Sequence, residues 1–366
     1  MPQEVFILGG ARTPFTVWKR GRTGSGKRGG ALAQDHPFDL GAAVCRGALA
    51  RTGVSNEAVE RIVFGNMYQI GPHGCYGGRY VGLRAGLPPE TSSMAVNMAC
   101  GTGLAALIAG GREIASGSAK TVISVGADTT SLIEKSIFVP SFHDEACGKD
   151  IGETVEPLAQ ERGIDRAAMD DWALESHQRA KSASERLSEE IIGSGSDDAV
   201  LERPTPDLFS SAKPAHNGAI TAKNTHAIAD GASALILSSQ RRDGMLGRLV
   251  GDATIGLDPL RMGYASVPAI KKLLSETGRT IDEIDLFEIN ETFAAQLLLD
   301  IEELGIPREK VNVNGGAIAI GHPFAATGGK LVLGLLLELG RRGLKTGVAA
   351  ICVGGGLGVA VLVERL

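Results

Sequence analysis

The feature that most constrains this chain is that it repeats itself. Residues 49–66 (LARTGVSNEAVERIVFGN) resemble residues 274–290 (LSETGRTIDEIDLFEIN). Each segment reads as a helix end, a Thr-Gly stop, a short helical turn and an apolar strand that closes on an asparagine, Asn66 in one and Asn290 in the other. The spacing beyond them agrees too: Cys100 lies 34 residues past Asn66, and His322 lies 32 past Asn290. A glycine-rich helical run and then an apolar strand follow each, ending in TVISVGA after Cys100 and in GVAAICVGGG after His322. Two similar βαβ halves are expected, each with a functional loop where a strand passes into a helix.

Runs such as VISVGA, ALILSS and GVAAICV lack the alternation of a half-exposed strand, so they belong in sheets covered on both faces by helices. The rhythm breaks between residues 129 and 217, where a charged helical pattern is followed by a Ser/Gly/Pro-rich run. This segment is expected to be an insertion capping the N-terminal half. The halves then comprise residues 1–128 with 218–243, and residues 244–366. Charges from Asp165 to Glu190 recur at helical spacing and suggest an ordinary solvated face.

At 366 residues, more than one packed core is expected, and 43% hydrophobic with 22% charged residues is a globular balance. A net charge of −5 argues against nucleic acid or an anionic membrane as partner. Five scattered cysteines suggest no disulfide framework, and no apolar run approaches the ~18 residues of a spanning helix. A cytoplasmic setting follows as an expectation.

Four residues stand out chemically. Cys100, in VNMACGTGLAAL, sits where an apolar strand gives way to a helix. A helix N-terminus offers unpaired N–H groups and a positive dipole end, which are expected to lower the thiol pKa. His322 lies in the loop NGGAIAIGHPFAATG, Cys352 opens CVGGG after an apolar strand, and Asn290 ends a strand just ahead of a helix. Each has an ordinary structural explanation: core packing for the cysteines, a loop contact for the histidine, an N-cap for the asparagine. The repeat weakens those explanations together, because it puts the Cys100 and His322 loops at matching points of two related halves.

NMACGTG, NETFAAQ, NVNGGAIAIGHPFAATGG and CVGGGLGVA, in this order, resemble the active-site motifs of the thiolase family; ARTPF, NGAITAKNTHAIADGASAL and DPLRMGYASVPA match further family segments. The resemblance spans nearly the whole chain. It implies an α/β fold of duplicated halves, each a mixed five-stranded sheet with helices, stacked as α-β-α-β-α layers. It also implies an acyltransferase that makes or breaks a carbon–carbon bond in a 3-ketoacyl-CoA, with CoA as substrate or product, no separate cofactor and no metal. By the same resemblance Cys100 is the acyl-accepting nucleophile, His322 activates it, and Cys352 is the acid/base for the α-proton. Asn290 would hold a water that joins His322 in one oxyanion hole; the backbone N–H groups of Cys100 and Gly354 would form the other. His226, Met262, Ile151 and Phe293 are the expected substrate contacts, and a homodimer is the expected assembly.

The chain departs from the family at His226, which stands where many relatives carry serine near the pantetheine arm. A decarboxylating condensing enzyme of the ketoacyl synthase type is the alternative, but it needs no second cysteine; a non-catalytic acyl-CoA-binding relative would not need the four residues intact. Two decoys remain. GRTGSGKR (21–28) imitates a phosphate-binding loop but has Arg28 where a Ser or Thr belongs. His73, Cys75, His143 and Cys147 match no familiar zinc spacing.

Overall fold

The computed structural model describes residues 3–18 and 29–366; the phosphate-loop decoy at 21–28 falls outside them. Among the described residues, nine strands of four residues or more carry the fold: β1 (Val5–Arg12), β2 (Arg61–Gly65), β3 (Ser92–Val96), β4 (Thr121–Asp128), β5 (Ala229–Ser238), β6 (Gly247–Gly256), β7 (Leu286–Ile289), β8 (Thr346–Val353) and β9 (Leu357–Glu364). The principal helices are α1 (Pro37–Thr52), α2 (Gly77–Ala85), α3 (Thr102–Ala115), α4 (Ile151–Glu161), α5 (Arg166–Ser182), α6 (Ser266–Thr277), α7 (Ala294–Leu304) and α8 (Thr327–Arg342).

The repeat is real in three dimensions. The two Thr-Gly stops are helix ends, with Gly53 at φ 64° and Gly278 at φ 65°, the left-handed conformation that glycine adopts without penalty. In the first half the strand order is β3-β2-β4-β5-β1, with β3, β2 and β4 parallel. In the second it is β7-β8-β9-β6, with β7 and β8 parallel. The fifth strand expected there is reduced to one parallel bridge between Phe287 and Val311. Asn312, at φ 46°, is the reason: its side-chain amide takes over the pairing, accepting from Ile289 N at 2.9 Å and donating to Ile289 O at 2.8 Å. The backbone is thereby released into a loop. The sheets also meet, because β1 pairs antiparallel with β6 from Val5↔Leu249 to Ile7↔Gly247, giving one continuous path.

Helices α1 and α2 cover the outer face of the first sheet, α6 covers the second with α7 packed beside it, and α3 with α8 fill the space between the sheets. Strands β4, β5 and β8 are therefore buried along their full length, as their unbroken apolar runs required. The two middle helices cross at glycine. A Cβ on Gly328 would lie 2.3 Å from Leu104 N, and one on Gly103 would lie 2.5 Å from Ala325 O. Only bare backbones let the two helix starts approach this closely.

The inserted segment was expected to cap the N-terminal half. Its buried residues Val155, Leu158, Met169, Trp172 and Phe209 instead share a core with Ile270, Phe287 and Leu297 of the C-terminal half. The burial of these apolar side chains decides it for the middle of the segment; Ile133 and Phe138 at its start pack with Trp18 and Tyr68 of the N-terminal half, and its end is tied to β1 and α1 through Arg12 and Arg51. Nor are its ionisable residues all solvated: Asp170, His177 and Glu190 are buried. Among the described residues no helix is long and apolar enough to cross a membrane.

Candidate active site

Two matching turns build the site. Ala99–Gly101 forms a tight turn leading into α3, and Phe324–Ala326 forms one leading into α8. Ala99 at φ 43° and Phe324 at φ 33° each stand three residues ahead of the first helical threonine, Thr102 or Thr327. A non-glycine residue held there costs about 1–3 kcal/mol, and such strain clusters at functional turns. Cys100 follows the first strained residue; the matching residue in the second turn is Ala325, and His322 lies three residues before it. Buried Asp128, at the end of β4, fastens the loops below: it accepts from Ala325 N (2.9 Å), Tyr68 N (3.1 Å), Met67 N (3.1 Å) and Asn66 Nδ2 (2.7 Å). Burial pushes its carboxyl up to about 7.

Cys100 is 6% exposed. Its thiol is pushed up to about 12, because burial outweighs the stabilising backbone N–H groups of Cys100 itself and Gly354. The lowered pKa expected from the helix N-terminus is therefore not found: the donors are present, but removal from water costs the thiolate more than they return. His322 is fully buried. Its Nδ1 lies 2.6 Å from Thr327 Oγ1, and its Nε2 has no hydrogen-bond partner. Burial, and then the neighbouring His226, hold its pKa well below the usual imidazole value, so the ring is neutral.

Cys352, at the end of β8, is also fully buried, and its thiol donates to Thr292 Oγ1 at 3.4 Å. Burial raises its pKa, with Asp300 and Cys100 adding to the rise. The same Thr292 hydroxyl accepts from Asn290 Nδ2 at 3.1 Å, leaving Asn290 Oδ1 buried without a partner. Asn290 is not the cap of α7, whose N-cap is Phe293. The Thr292 carbonyl accepts from His226 Nδ1 at 3.0 Å, and the His226 ring meets that of His322 edge-on with centroids 5.0 Å apart. Through Thr292 and the His226 ring, Cys352, Asn290 and His322 are thus linked in one cluster, and Cys100 joins it through Gly354.

A cavity of about 510 Å³ opens beside this cluster and is lined by His226, Ile151 and Phe293 among others. It stops one side chain short of the sulfurs, at His226 against His322 and at Ile151, whose Cγ2 lies 3.9 Å from where a Cβ on Gly354 would be. Met262 does not line it; that side chain is 1% exposed in the core of the second half. The four residues of the zinc decoy are not gathered. Among the described residues the group with metal-ligand spacing is Asp150, Glu153 and His216, and Asp150 and Glu153 are already committed to the capping box of α4.

Sequence reasoning missed several residues that hold the others: Thr292, Thr327, Asp128 and Glu291. Glu291 is fully buried and accepts from Trp172 Nε1, Ser176 Oγ, Asn312 Nδ2 and Ile318 N, fastening the loop that leads to His322. A charged Glu and a Thr immediately after Asn290 were the available signal.

Sequence models of the thiolase N-terminal domain match residues 7–140 and 130–241, and that of the thiolase C-terminal domain matches residues 244–365. The chain belongs to the thiolase family. It is 35% identical to the acetyl-CoA acetyltransferase of Cupriavidus necator, over 96% of this chain and 100% of that one. It is 34% identical to the mitochondrial 3-ketoacyl-CoA thiolase of Bos taurus, over 99% of this chain and 98% of that one. Among solved structures, human mitochondrial 3-ketoacyl-CoA thiolase in complex with CoA superposes with a TM-score of 0.93 at 32% identity, covering 100% of this thiolase and 98% of that chain. The Bacillus anthracis acetyl-CoA acetyltransferase superposes with a TM-score of 0.91 at 30% identity, over 100% and 99% of the two chains.

Proposed function

We propose that this thiolase catalyses the reversible thiolysis and Claisen condensation of 3-ketoacyl-CoA through an acyl group carried on Cys100. The observation that carries the reading is a buried sulfur facing two backbone N–H groups, clustered with a neutral imidazole and a second thiol. His322 takes the Cys100 proton on its unpartnered Nε2 while Nδ1–H donates to Thr327. In cleavage, the thiolate attacks the 3-keto carbon and the oxyanion is held by the backbone N–H groups of Cys100 and Gly354 that face the sulfur, while His322 with a water on Asn290 holds the thioester oxygen that becomes the enolate. The C2–C3 bond then breaks, its electron pair passes into the enolate of acetyl-CoA, and Cys352 supplies the α-proton. The thiol of a second CoA then attacks the Cys100 thioester; its proton is taken up by the base left at the site, and the acyl-CoA leaves with Cys100 restored. One thioester replaces another, so the acyl transfer is nearly balanced in energy and runs both ways. Donors aimed at each oxyanion contribute roughly 3–4 kcal/mol apiece to such steps.

The cavity serves the CoA thioester, with His226, Ile151 and Phe293 at its inner end; Met262 acts only through packing. Exchange of His226 for serine should change KM for CoA substrates. A second cysteine next to the first favours this chemistry over a decarboxylating synthase. The setting we propose is cytoplasmic acyl-CoA metabolism, supported by five unbridged cysteines. The assembly we propose is a homodimer: β3 is the open edge of the sheet, with Met94 36% exposed on it and Tyr76 58% exposed nearby. Light scattering giving a monomer or tetramer mass would refute the dimer. Intact-mass analysis after acetyl-CoA treatment tests the chemistry: one acetyl group is expected, absent from Cys100→Ser. Label persisting in that variant would refute it.

A further inference from the structure

Near Cys352 lies a carboxyl group that the reaction above does not use. Asp300, on α7, is fully buried. Its Oδ2 accepts from Ser266 Oγ at 2.6 Å and from Gln296 Nε2 at 2.5 Å. Its Oδ1 is buried too and has no hydrogen-bond partner among the described residues. The ionisable groups on the elements packed around it are engaged elsewhere. Arg162, Lys271 and Tyr264 meet Glu303, Asp170 pairs with Arg166, and Glu156 holds the backbone of Ala219 and Ile220. A carboxylate with one dry oxygen and no cation is costly to keep charged. Burial accordingly pushes Asp300 up to about 7, against the pull of Ser266 and Gln296.

Two routes join this carboxyl to Cys352. Gln296 Oε1 accepts from Thr292 N at 3.1 Å, and Thr292 Oγ1 accepts from the Cys352 thiol. Cys352 also pairs with Gly358 across β8 and β9, and a Cβ on Gly358 would lie 2.1 Å from the carbonyl oxygen of Ala265, the residue before Ser266. The first route passes through a backbone N–H, so it carries no proton. Asp300 can act on Cys352 only by its charge and by holding Thr292. After burial, Asp300 is the largest cause of the raised Cys352 pKa.

We propose that Asp300 is a positioning residue for the carbon–carbon step: as a neutral acid it anchors Gln296 and Thr292 and leaves Cys352 free to take the α-proton, and as a carboxylate it opposes the Cys352 thiolate. The proposal rests on the role given to Cys352 in the thiolase reading. Two anions close together in a dry site disfavour each other, so the first to form holds back the second.

The test follows deuterium uptake at the acetyl methyl of acetyl-CoA in deuterated buffer, from about pH 6 to 9, with the full chain. The Cys352 thiolate takes a methyl proton to leave the enolate, the thiol exchanges with solvent, and the deuteron returns to carbon. Cys100 acetylation is followed separately by intact mass. Asp300→Asn keeps the shape and one accepting oxygen but cannot ionise. Its exchange rate should match the parent within about twofold near pH 6 and run at least about threefold faster at pH 8.5, since one pK unit of coupling is about tenfold in thiolate population. Cys100 acetylation should change less than about twofold. A ratio that stays constant with pH is what packing alone would give, and it overturns the proposal. Ser266→Ala removes a bond that favours the carboxylate, so the pH at which exchange is held back should move upward by about half a unit or more. An unmoved break overturns the proposal equally, and decides it should the asparagine variant fail to fold. Absence of Cys100 acetylation in the parent would instead overturn the thiolase reading on which the proposal stands.

Discussion

Replacing Thr327 by valine would remove one oxygen from the site and leave a side chain of nearly the same shape. That oxygen lies 2.6 Å from His322 Nδ1, and neither residue is more than 2% exposed, so water cannot take its place. A buried donor left unsatisfied costs about 1–3 kcal/mol. The cost grows as the reaction proceeds, because His322 becomes cationic on accepting the Cys100 proton, and a charge-assisted hydrogen bond is roughly twice as strong as a neutral one. The valine variant also loses the bond that keeps the proton on Nδ1 and the lone pair on Nε2. With about 1.4 kcal/mol per factor of ten, single-turnover acetylation of Cys100 should slow roughly 10- to 100-fold. The loss should fall on the rate at saturating acetyl-CoA and leave half-saturation little changed, since the interaction strengthens only in the transition state. Rapid quench with intact-mass readout measures both, and Thr327→Ser should restore most of the rate. A valine variant within twofold of the parent, or one altered only in half-saturation, would refute this role for Thr327.

The remaining predictions concern the second cysteine, the helix crossing and pH. Cys352→Ala should still accept one acetyl group on Cys100 while carbon–carbon cleavage falls at least ~10²-fold, the usual scale for a general acid/base; near-normal thiolysis would exclude the role. Gly328→Ala forces a Cβ to 2.3 Å from Leu104 N and should cost at least about 3 kcal/mol in denaturant unfolding. Gly82→Ala in α2, whose Cβ would meet nothing nearer than Leu87 at 3.6 Å, should be neutral or slightly stabilising; equal losses in both would refute the packing argument. Stability should fall on the alkaline side of about pH 8.5. Above about 8.5 the unfolded chain releases thiol protons that folded Cys100 and Cys45, both pushed up to about 12, retain, so stability falls by about 1.4 kcal/mol per pH unit for each thiol. Unfolding midpoints that stay flat from pH 6 to 10 would refute this.

What the sequence determined by itself was the periodic part of the molecule. Two Thr-Gly helix stops, matching apolar strands and equal spacing to Cys100 and His322 are local signals, and local signals survive without tertiary context. They were enough to mark both halves and the buried strands, and to single out the four candidate residues that the structure brings together. The tertiary structure decided what depends on burial and on partners distant in sequence. Cys100 has its helix N-terminus, yet its pKa rises, because the sheets and α8 exclude water from it. Asn290 bonds Thr292 two residues on, and Thr292 gains its meaning only from Cys352, sixty residues away. The fifth strand of the second half is missing because one amide, on Asn312, pairs more compactly than a strand would. Met262 sits in a family segment but was packed into the core, whereas His226 was brought against His322 by a backbone bridge from Ile228. A sequence records which side chains are available. Only closure of the fold sets which of them lose water and what faces them when they do.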